Sequence, residues 1–209
     1  MARRSVSNMD VTTASKKRNA WVEYYVRAEP QMDGLWRTLI WPMIQGADFS
    51  VTMDFACGHG RNSAKLVKHA KRLICVDVNP AAIRKCEQRF AGQPQVTCIL
   101  NDGATLSAID NAVLTFIYSF DSVVHFEIDL IRRYLVEFHR VMRPGATAFI
   151  HHSNVGSGTY GTNVHGRSGV SAESFTQACE SVGFVCDSQR LLDWGPCKKL
   201  DCITQFHKL

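Results

Sequence analysis

The chain has 209 residues, is 45% hydrophobic and 21% charged, and carries a formal net charge of +5. This length and apolar content are enough for one substantial hydrophobic core, so a single domain is expected over residues 21–209. The apolar run 113–120 has only the length of a strand, which excludes a membrane span there. The basic segment 1–20 lacks the apolar centre of a secretory signal, which predicts a flexible arm on a soluble, cytoplasmic protein.

The arm accounts for most of the excess positive charge, because Asp10 is its one acidic residue. A solvated tail explains this charge better than a nucleic-acid partner, which we do not expect. The eight cysteines are scattered without any Cys-x-x-Cys pair: Cys57, Cys75, Cys86, Cys98, Cys179, Cys186, Cys197 and Cys202. We therefore expect free, buried thiols in a reducing compartment and no metal site.

Residues 21–44 have a helical pattern rich in aromatic side chains, and from residue 51 onward strand-like and helix-like segments alternate. The predicted strands are 51–55, 73–76, 96–100, 113–119 and 146–151, followed by a closing pair, 184–192 and 201–207, joined by a long loop. The predicted helices are 62–71, one that begins at Asn79-Pro80, one over the apolar positions 128–138, and 171–183. This alternation predicts a three-layer, Rossmann-like α/β domain, whose mostly parallel, seven-stranded sheet ends in an antiparallel hairpin.

Ligands of such sheets bind beyond the carboxyl ends of the strands. The sequence places polar or glycine residues at five of these ends in succession: Ala56-Cys-Gly58-His-Gly60, Asp77, Asn101-Asp102-Gly103, Ser119-Phe120-Asp121 and His151-His152-Ser153-Asn154. One coincidence of this kind would mean little, but five on consecutive strands predict a pocket.

The first of these ends has the chemistry of a nucleotide-binding loop. Gly58 and Gly60 let the backbone approach a ligand closely and present amide donors at a helix start. Asp77 is placed to accept hydrogen bonds from both hydroxyls of a ribose. A nicotinamide-binding domain shares such an acid but requires a third glycine, and Ser63 occupies that position. Asp54, in the first strand, is positioned to hold the loop or an amino-acid moiety, so the pattern excludes a dinucleotide.

Residues 51–62, Val-Thr-Met-Asp-Phe-Ala-Cys-Gly-His-Gly-Arg-Asn, resemble motif I of the class I, Rossmann-like S-adenosylmethionine-dependent methyltransferases. Residues 74–80 are similar to the second motif of that family and 101–103 to its adenine-side motif, while 119–121 and 140–145 also fit. The resemblance implies that S-adenosyl-L-methionine is the cofactor and that one set of residues binds it: Asp54, Ala56, Gly58, Gly60, Asp77, Val78, Asp102, Gly103, Ser119 and Phe120. Ala56 departs from the family, in which glycine is more frequent, and binding should survive unless this position needs a positive φ.

Methyl transfer to a hydroxyl or an amine requires positioning of the acceptor and a general base, which histidine usually supplies. His125 and His151 are the candidate catalytic residues, and a packed, structural histidine is the alternative interpretation of each. Strand alternation directs His152 to the face opposite His151. Substrate contacts are expected from the strand ends, from a glycine-rich loop over 156–169 and from an N-terminal cap (21–48) that covers the cofactor in relatives: Asp121, His152, Asn154, Arg167 and Tyr25.

Absent motifs narrow the acceptor. The fourth strand is not followed by the Asn/Asp-Pro-Pro-Tyr pattern of amino methyltransferases that act on adenine or glutamine, and the Cys-Pro pattern of cytosine-C5 enzymes does not occur. The predicted acceptor is therefore a small hydroxylated or amino-bearing molecule, such as a sugar or a secondary metabolite. Two alternatives remain: a nucleic-acid methyltransferase, favoured by the basic arm and a pI near 8.8, and a cofactor-binding interaction protein without catalysis.

Overall fold

The computed structural model describes residues 29–30, 32–158 and 164–209, so the arm and most of the aromatic segment before residue 32 lie outside the described residues. The chain divides into two compact units after Met43. Near this boundary, α1 (Met32–Leu35) is followed by a π-helical stretch, Trp36–Ile40, and by α2 (Trp41–Ile44). No helix within the described ranges is long and apolar enough to cross a membrane.

Seven strands form one sheet in the order β3-β2-β1-β4-β5-β7-β6. In chain order they are β1 Val51–Phe55, β2 Arg72–Asp77, β3 Val96–Leu100, β4 Leu114–Ser119, β5 Met142–Ser153, β6 Phe184–Trp194 and β7 Cys197–Lys208. The strands from β3 to β5 pair in parallel, whereas β7 is antiparallel to both β5 and β6. The strand order reverses between β1 and β4, so the crevice for ligands lies at their carboxyl ends. The predicted fold class is confirmed.

Local sequence signals explain where the helices begin. The helices that flank the sheet are α3 Ser63–Leu66, α4 Pro80–Arg89, α5 Ile128–Val141 and α6 Ala172–Ser181. At the start of α4, the side chain of Asn79 accepts a hydrogen bond from the backbone N–H of Ala81 (2.9 Å), and proline takes the first helical position. At the start of α6, Ser171 and Ser174 form a reciprocal capping box.

The core below the crevice is aromatic. The ring of Phe55, at the end of β1, lies 4.6 Å from that of Tyr134 and 5.0 Å from that of Phe138, both on α5. All six residues of β4 are buried. Burial of each large apolar side chain contributes about 1.5–3 kcal/mol, so this packing holds the ends of β1 and β4 in place. The loops that leave these strands therefore start from a rigid base.

Two predicted elements were wrong. The predicted helix 62–71 is α-helical only over Ser63–Leu66, because the chain must turn back towards the sheet, where the N–H of Lys71 bonds to the carbonyl of Phe49 (3.0 Å). The predicted long loop between the last two strands is a tight turn: Trp194 pairs with Cys197, and Gly195 between them has a φ of 55°.

Candidate active site

The loop after β1 consists of residues in left-handed backbone conformations. Ala56, Gly58 and Gly60 have φ values of 58°, 55° and 77°. Space also excludes a side chain at Gly60, because its Cβ would lie 2.8 Å from the ring of Phe90 and 3.0 Å from Sγ of Cys86. The glycines thus serve both the conformation and the packing of the loop, which lies at the switch point of the sheet.

Asp77, at the end of β2, fastens this loop. Its Oδ2 accepts a hydrogen bond from the N–H of Gly58 (2.8 Å), and its Oδ1 accepts one from the N–H of Asn79 (2.8 Å). A carboxylate has about four acceptor positions, so two remain for further donors such as ribose hydroxyls. The side chain is half-buried at the rim of the crevice. Asp77 therefore joins two strand ends and still presents an acceptor to a ligand.

Asp54 lies beneath the loop and is fully buried. Its Oδ2 accepts a hydrogen bond of 2.5 Å from the hydroxyl of Ser63, the residue in place of the third dinucleotide-fold glycine. Burial raises the pKa of Asp54 to about 7, although the hydrogen bond from Ser63 acts in the opposite direction. This pair ties the start of α3 to β1, so in the absence of ligand Asp54 supports the loop from below.

The loop after β3 has a turn of its own. The carboxylate of Asp102 accepts hydrogen bonds from the N–H groups of Ala104 (2.8 Å) and Thr105 (2.7 Å), which hold its pKa below the ordinary range. Gly103 has a φ of 85°, and its Cβ would lie 3.7 Å from Val78. The apolar side chain of Val78 is 56% exposed. An apolar surface thus lies between the ends of β2 and β3, where an adenine ring would be expected.

On the other side of the switch point, charged side chains form a buried network. Asp121, after β4, lies 3.2 Å from Nη2 of Arg61 and 3.9 Å from Nη2 of Arg167. Arg167 forms a bidentate pair with Asp201 of β7 (Nε to Oδ1 3.0 Å, Nη2 to Oδ2 2.8 Å). Its guanidinium carbon lies 4.6 Å from the ring centroid of Trp194, a cation–π arrangement. The network links the ends of β4 and β7 to the segment that contains Arg167.

His151 belongs to this network rather than to the surface of the crevice. Its ring is fully buried and stacks on Phe120, with centroids 4.4 Å apart. Nδ1 accepts a hydrogen bond from the N–H of Asp121 (3.1 Å), which places the ring proton on Nε2, 3.3 Å from Asp201. The lone pair that a general base needs is therefore occupied. Instead of the predicted catalytic role, this arrangement gives His151 a role in positioning Asp121.

Two expected substrate ligands do not face the crevice. His152 is fully buried, stacks on Phe175 with centroids 3.9 Å apart, and lies 2.8 Å from the hydroxyl of Thr204. Burial lowers the pKa of His152 to about 3, so the ring is neutral. Asn154 donates to the carbonyl of Lys199 (2.9 Å) and accepts from Ala172 (2.8 Å). Both side chains thus have structural partners, which corrects the expectation that they bind substrate.

A family model described as a methyltransferase domain matches residues 52–145, the segment that contains the glycine loop, Asp77 and Asp102. This segment therefore resembles a methyltransferase domain, and S-adenosylmethionine is the cofactor that such a domain uses. No curated protein sequence matches the chain.

Solved methyltransferase structures share the fold. A TehB-like S-adenosylmethionine-dependent methyltransferase from Corynebacterium glutamicum is 18% identical, with a TM-score of 0.65 over 91% of this chain and 100% of that one. A methyltransferase from Methanosarcina mazei is 17% identical, with a TM-score of 0.64 over 80% and 97%. Geranyl diphosphate C-methyltransferase from Streptomyces coelicolor, in complex with Mg²⁺, geranyl diphosphate and S-adenosyl-L-homocysteine, is 12% identical, with a TM-score of 0.64 over 77% and 71%. At these identities the similarity is one of fold.

His125 differs from His151 in its exposure and in its contacts. It ends the 3₁₀ turn Val123–His125 and is exposed. Its Nδ1 lies 2.8 Å from the carbonyl oxygen of Gly166, which can only accept, so Nδ1 carries the proton. The neutral ring therefore has its lone pair on Nε2. Three residues earlier, Ser122 donates to the carbonyl of Ala56 in the glycine loop (3.0 Å), which links this turn to the cofactor side.

Ser119 and Phe120 were expected to bind the cofactor, but their side chains point into the protein. The hydroxyl of Ser119 donates to the carbonyl of Phe55 (2.8 Å), and Phe120 is buried against His151. Their side chains thus hold the ends of β1, β4 and β5 together. The expected substrate contact from Tyr25 lies outside the described residues.

Sequence reasoning missed Asp201 and Trp194 in the last two strands, and Arg61 was noted only as part of motif I. Asp201 is a fully buried acid beside an apolar stretch of β7, and an acid in such a position indicates a buried cationic partner. This signal was available in the sequence. The identity of the partner was not, because Arg167 lies 34 residues away along the chain.

Ala56→Gly is expected to stabilise the protein. Ala56 has a φ of 58°, a conformation that costs an L-residue about 1–2 kcal/mol, whereas glycine adopts it readily. Glycine also loses about 0.4–1 kcal/mol more backbone entropy on folding, so we expect a net rise of about 0.5–1 kcal/mol in the free energy of unfolding. Urea denaturation measures this change. Ala81→Gly, at an exposed position in α4, is the control and should destabilise by about 1 kcal/mol; equal losses in both variants would refute the assignment of strain to Ala56.

Proposed function

We propose that the protein transfers the methyl group of S-adenosylmethionine to a hydroxyl or amino group of a small molecule, such as a sugar or a secondary metabolite. The proposal has two parts. Binding of the methyl donor depends on groups at the ends of β1, β2 and β3, and transfer to the acceptor depends on the residues that follow β4. When bound, the cofactor supplies an electrophilic methyl group on its sulfonium.

The residues on the donor side fit this cofactor. Gly58 and Gly60 have positive φ values, which let the loop turn sharply at the end of β1, where the cofactor is expected. Asp77 has acceptor positions left for the two ribose hydroxyls. The exposed side chain of Val78, beside Gly103, offers an apolar surface to the adenine ring. These three features lie at adjacent strand ends, in the order that ribose and adenine require.

The tautomer of His125 is the observation that supports proton removal from the acceptor. Hydroxyl and ammonium acceptors lose a proton in the transfer, and a neutral imidazole with a free Nε2 accepts such a proton at neutral pH. The carbonyl of Gly166 fixes this tautomer by its contact with Nδ1 at 2.8 Å. His125 is exposed, whereas the lone pair of His151 is occupied by the backbone of Asp121. We therefore assign the role of general base to His125.

The charge balance around Asp121 favours a small acceptor over a nucleic acid. Arg61 and Arg167 both lie within 4.0 Å of carboxylates, so this part of the site offers little unbalanced positive charge. Recognition of a nucleic acid depends on cations that neutralise backbone phosphates. An uncharged or weakly charged acceptor suits the described residues better.

His125→Ala is expected to lower kcat about 10²–10⁴-fold, the usual contribution of a general base, while the affinity for S-adenosylmethionine stays unchanged. The measurement combines transfer of labelled methyl groups to a panel of hydroxylated and amino metabolites with calorimetry of cofactor binding. His69→Ala, which removes another exposed histidine, should leave both quantities unchanged.

The same experiment tests the alternatives. Methyl transfer to RNA or DNA, together with nucleic-acid binding that weakens steeply as salt increases, would show that the acceptor is a nucleic acid. Cofactor binding without transfer to any member of either panel would favour a non-catalytic binding protein. Full turnover in His125→Ala would show that His125 is not the general base.

A further inference from the structure

Cysteines that are far apart in the sequence meet beside the glycine loop. The sulfur atoms of Cys75, Cys86 and Cys98 all lie within 4.8 Å of one another. Cys75 and Cys98 are direct partners in the parallel ladder of β2 and β3, so their side chains stand on the same face of the sheet. Cys86, in the middle of α4, is fully buried where this helix covers that face. The strands β2 and β3 and the helix α4 thus each contribute one thiol to the same cluster.

A fourth thiol comes from the glycine loop itself. Cys57 is outside the group of three mutually close sulfur atoms, and its side chain is only 6% exposed. The backbone N–H of Cys57 bonds to the carbonyl of Val76 (3.0 Å), which keeps the residue alongside β2. With the side chain of Cys57 turned towards the three grouped thiols, the arrangement would have four sulfur ligands, the number in a structural tetrahedral site.

We propose that Cys57, Cys75, Cys86 and Cys98 form a binding site for a thiophilic metal ion such as Zn²⁺. Four thiolates without nitrogen or oxygen ligands are the donor set that selects Zn²⁺ and other soft cations. A tetrahedral Zn–S distance of about 2.3 Å implies sulfur atoms about 3.8 Å apart, so the thiols need to approach by about 1 Å, which side-chain rotation supplies.

The metal site adjoins the loop to which we assign the cofactor. The position of a Cβ on Gly60 is only 3.0 Å from Sγ of Cys86, and Cys57 stands directly before Gly58. Arg89, whose guanidinium donates to the carbonyl of His59 (3.1 Å), places a positive charge next to the thiolates. A bound metal would therefore hold the loop in one conformation and raise the affinity for S-adenosylmethionine. This last effect rests on the proposed function, whereas metal binding itself does not.

The first test uses the full chain, kept reduced with a phosphine and loaded with Zn²⁺ or Co²⁺. We expect one metal ion per chain by elemental analysis after desalting, and a thiolate-to-cobalt charge-transfer band with Co²⁺. Cys98→Ser, at a half-buried position on the edge strand, should lower the affinity for either metal at least about tenfold. Cys86→Ser should do the same, and circular dichroism of both metal-free variants verifies that they fold.

Cys197→Ser and Cys179→Ser are matched controls, because these thiols are outside the cluster and should bind metal as the parent chain does. Less than stoichiometric metal in the parent chain, or equal affinities in Cys98→Ser and Cys197→Ser, would overturn the proposal. Formation of disulfides among the four thiols, in place of metal binding, would also overturn it. Asp77→Ala separates the two inferences: Cys75, Cys86 and Cys98 lie outside the glycine loop and should still bind the metal, even though the variant fails to bind S-adenosylmethionine.

Discussion

Asp77→Ala is expected to abolish calorimetrically detectable binding of S-adenosylmethionine. The substitution removes the carboxylate to which we assign the two ribose hydroxyls, and each charge-assisted hydrogen bond contributes about 1.5–3 kcal/mol, which corresponds to at least about a 100-fold loss of affinity. It also releases the N–H of Gly58, which donates to Asp77 at 2.8 Å, so the glycine loop loses its anchor on β2. Both effects act in the same direction.

Two further variants isolate the carboxylate. Asp77→Asn keeps one oxygen for the loop but loses the charge, so its affinity should lie between those of the parent chain and Asp77→Ala. Asp187→Ala, at an exposed acid near the start of β6, should bind the cofactor normally. If Asp77→Ala bound S-adenosylmethionine with unchanged affinity, the ribose assignment would be wrong. Urea denaturation of each variant shows whether a loss of binding reflects a loss of folding.

Asp201→Asn is expected to lower the free energy of unfolding by about 3–5 kcal/mol, the usual effect of removing one partner of a buried ion pair. Asp201 is fully buried, and its bidentate partner Arg167 is 6% exposed, so the guanidinium would remain in the interior without its principal counter-charge. Urea denaturation measures the effect. Asp193→Asn breaks an exposed ion pair with Lys198 on the same hairpin and should change stability by less than about 1 kcal/mol.

A second substitution at the partner tests the cause. Replacing the pair by apolar residues, as in Arg167→Met with Asp201→Val, removes both buried charges and should recover much of the lost stability. If the double variant were less stable than Asp201→Asn alone, unpaired charge would not explain the loss.

The carboxylate of Asp201 also makes the free energy of unfolding depend on pH. Burial alone would raise the pKa of Asp201, but hydrogen bonds from His151 and Arg167 outweigh it and hold the pKa at about 2, below the ordinary value of 3.8. Because the pKa of Asp201 is lower in the folded protein than in the unfolded chain, its contribution to the free energy of unfolding is complete above the unfolded-state pKa. It is lost as the pH falls from about 4 to about 2. Asp201→Asn should lack this part of the acid dependence, which urea midpoints measured across that range would show.

The alternation of strands and helices was predictable because it is encoded in contiguous residues. β1 and β3 have the predicted bounds, and Asn79 and Ser171 cap the helices that they were expected to begin. The polar strand ends could also be read directly, since the carboxyl ends of parallel strands share one edge of the sheet. Short-range signals failed where the chain had to turn to meet a distant element, as after α3.

The roles of individual side chains at those ends were less accessible. Alternation along the strand indicated that His151 and His152 face opposite sides of the sheet. That both side chains are fully buried could not be predicted, because the elements that cover them are distant in the sequence. His151 contacts Asp201 because β7 inserts antiparallel next to β5, a pairing that no local pattern specifies. The tautomer of His125 likewise depends on Gly166, a residue 41 positions away.

The sequence by itself determined the fold class, the resemblance to methyltransferases and the strand ends that form the crevice, because these depend on periodicity and on motifs within a few residues of one another. Only the tertiary structure decided three matters: that His125 rather than His151 has a lone pair available, that Arg167 pairs with Asp201, and that three cysteines from separate elements meet beside the glycine loop. The physical reason is that each depends on atoms brought together from separate elements, where the register of the strands sets the distances.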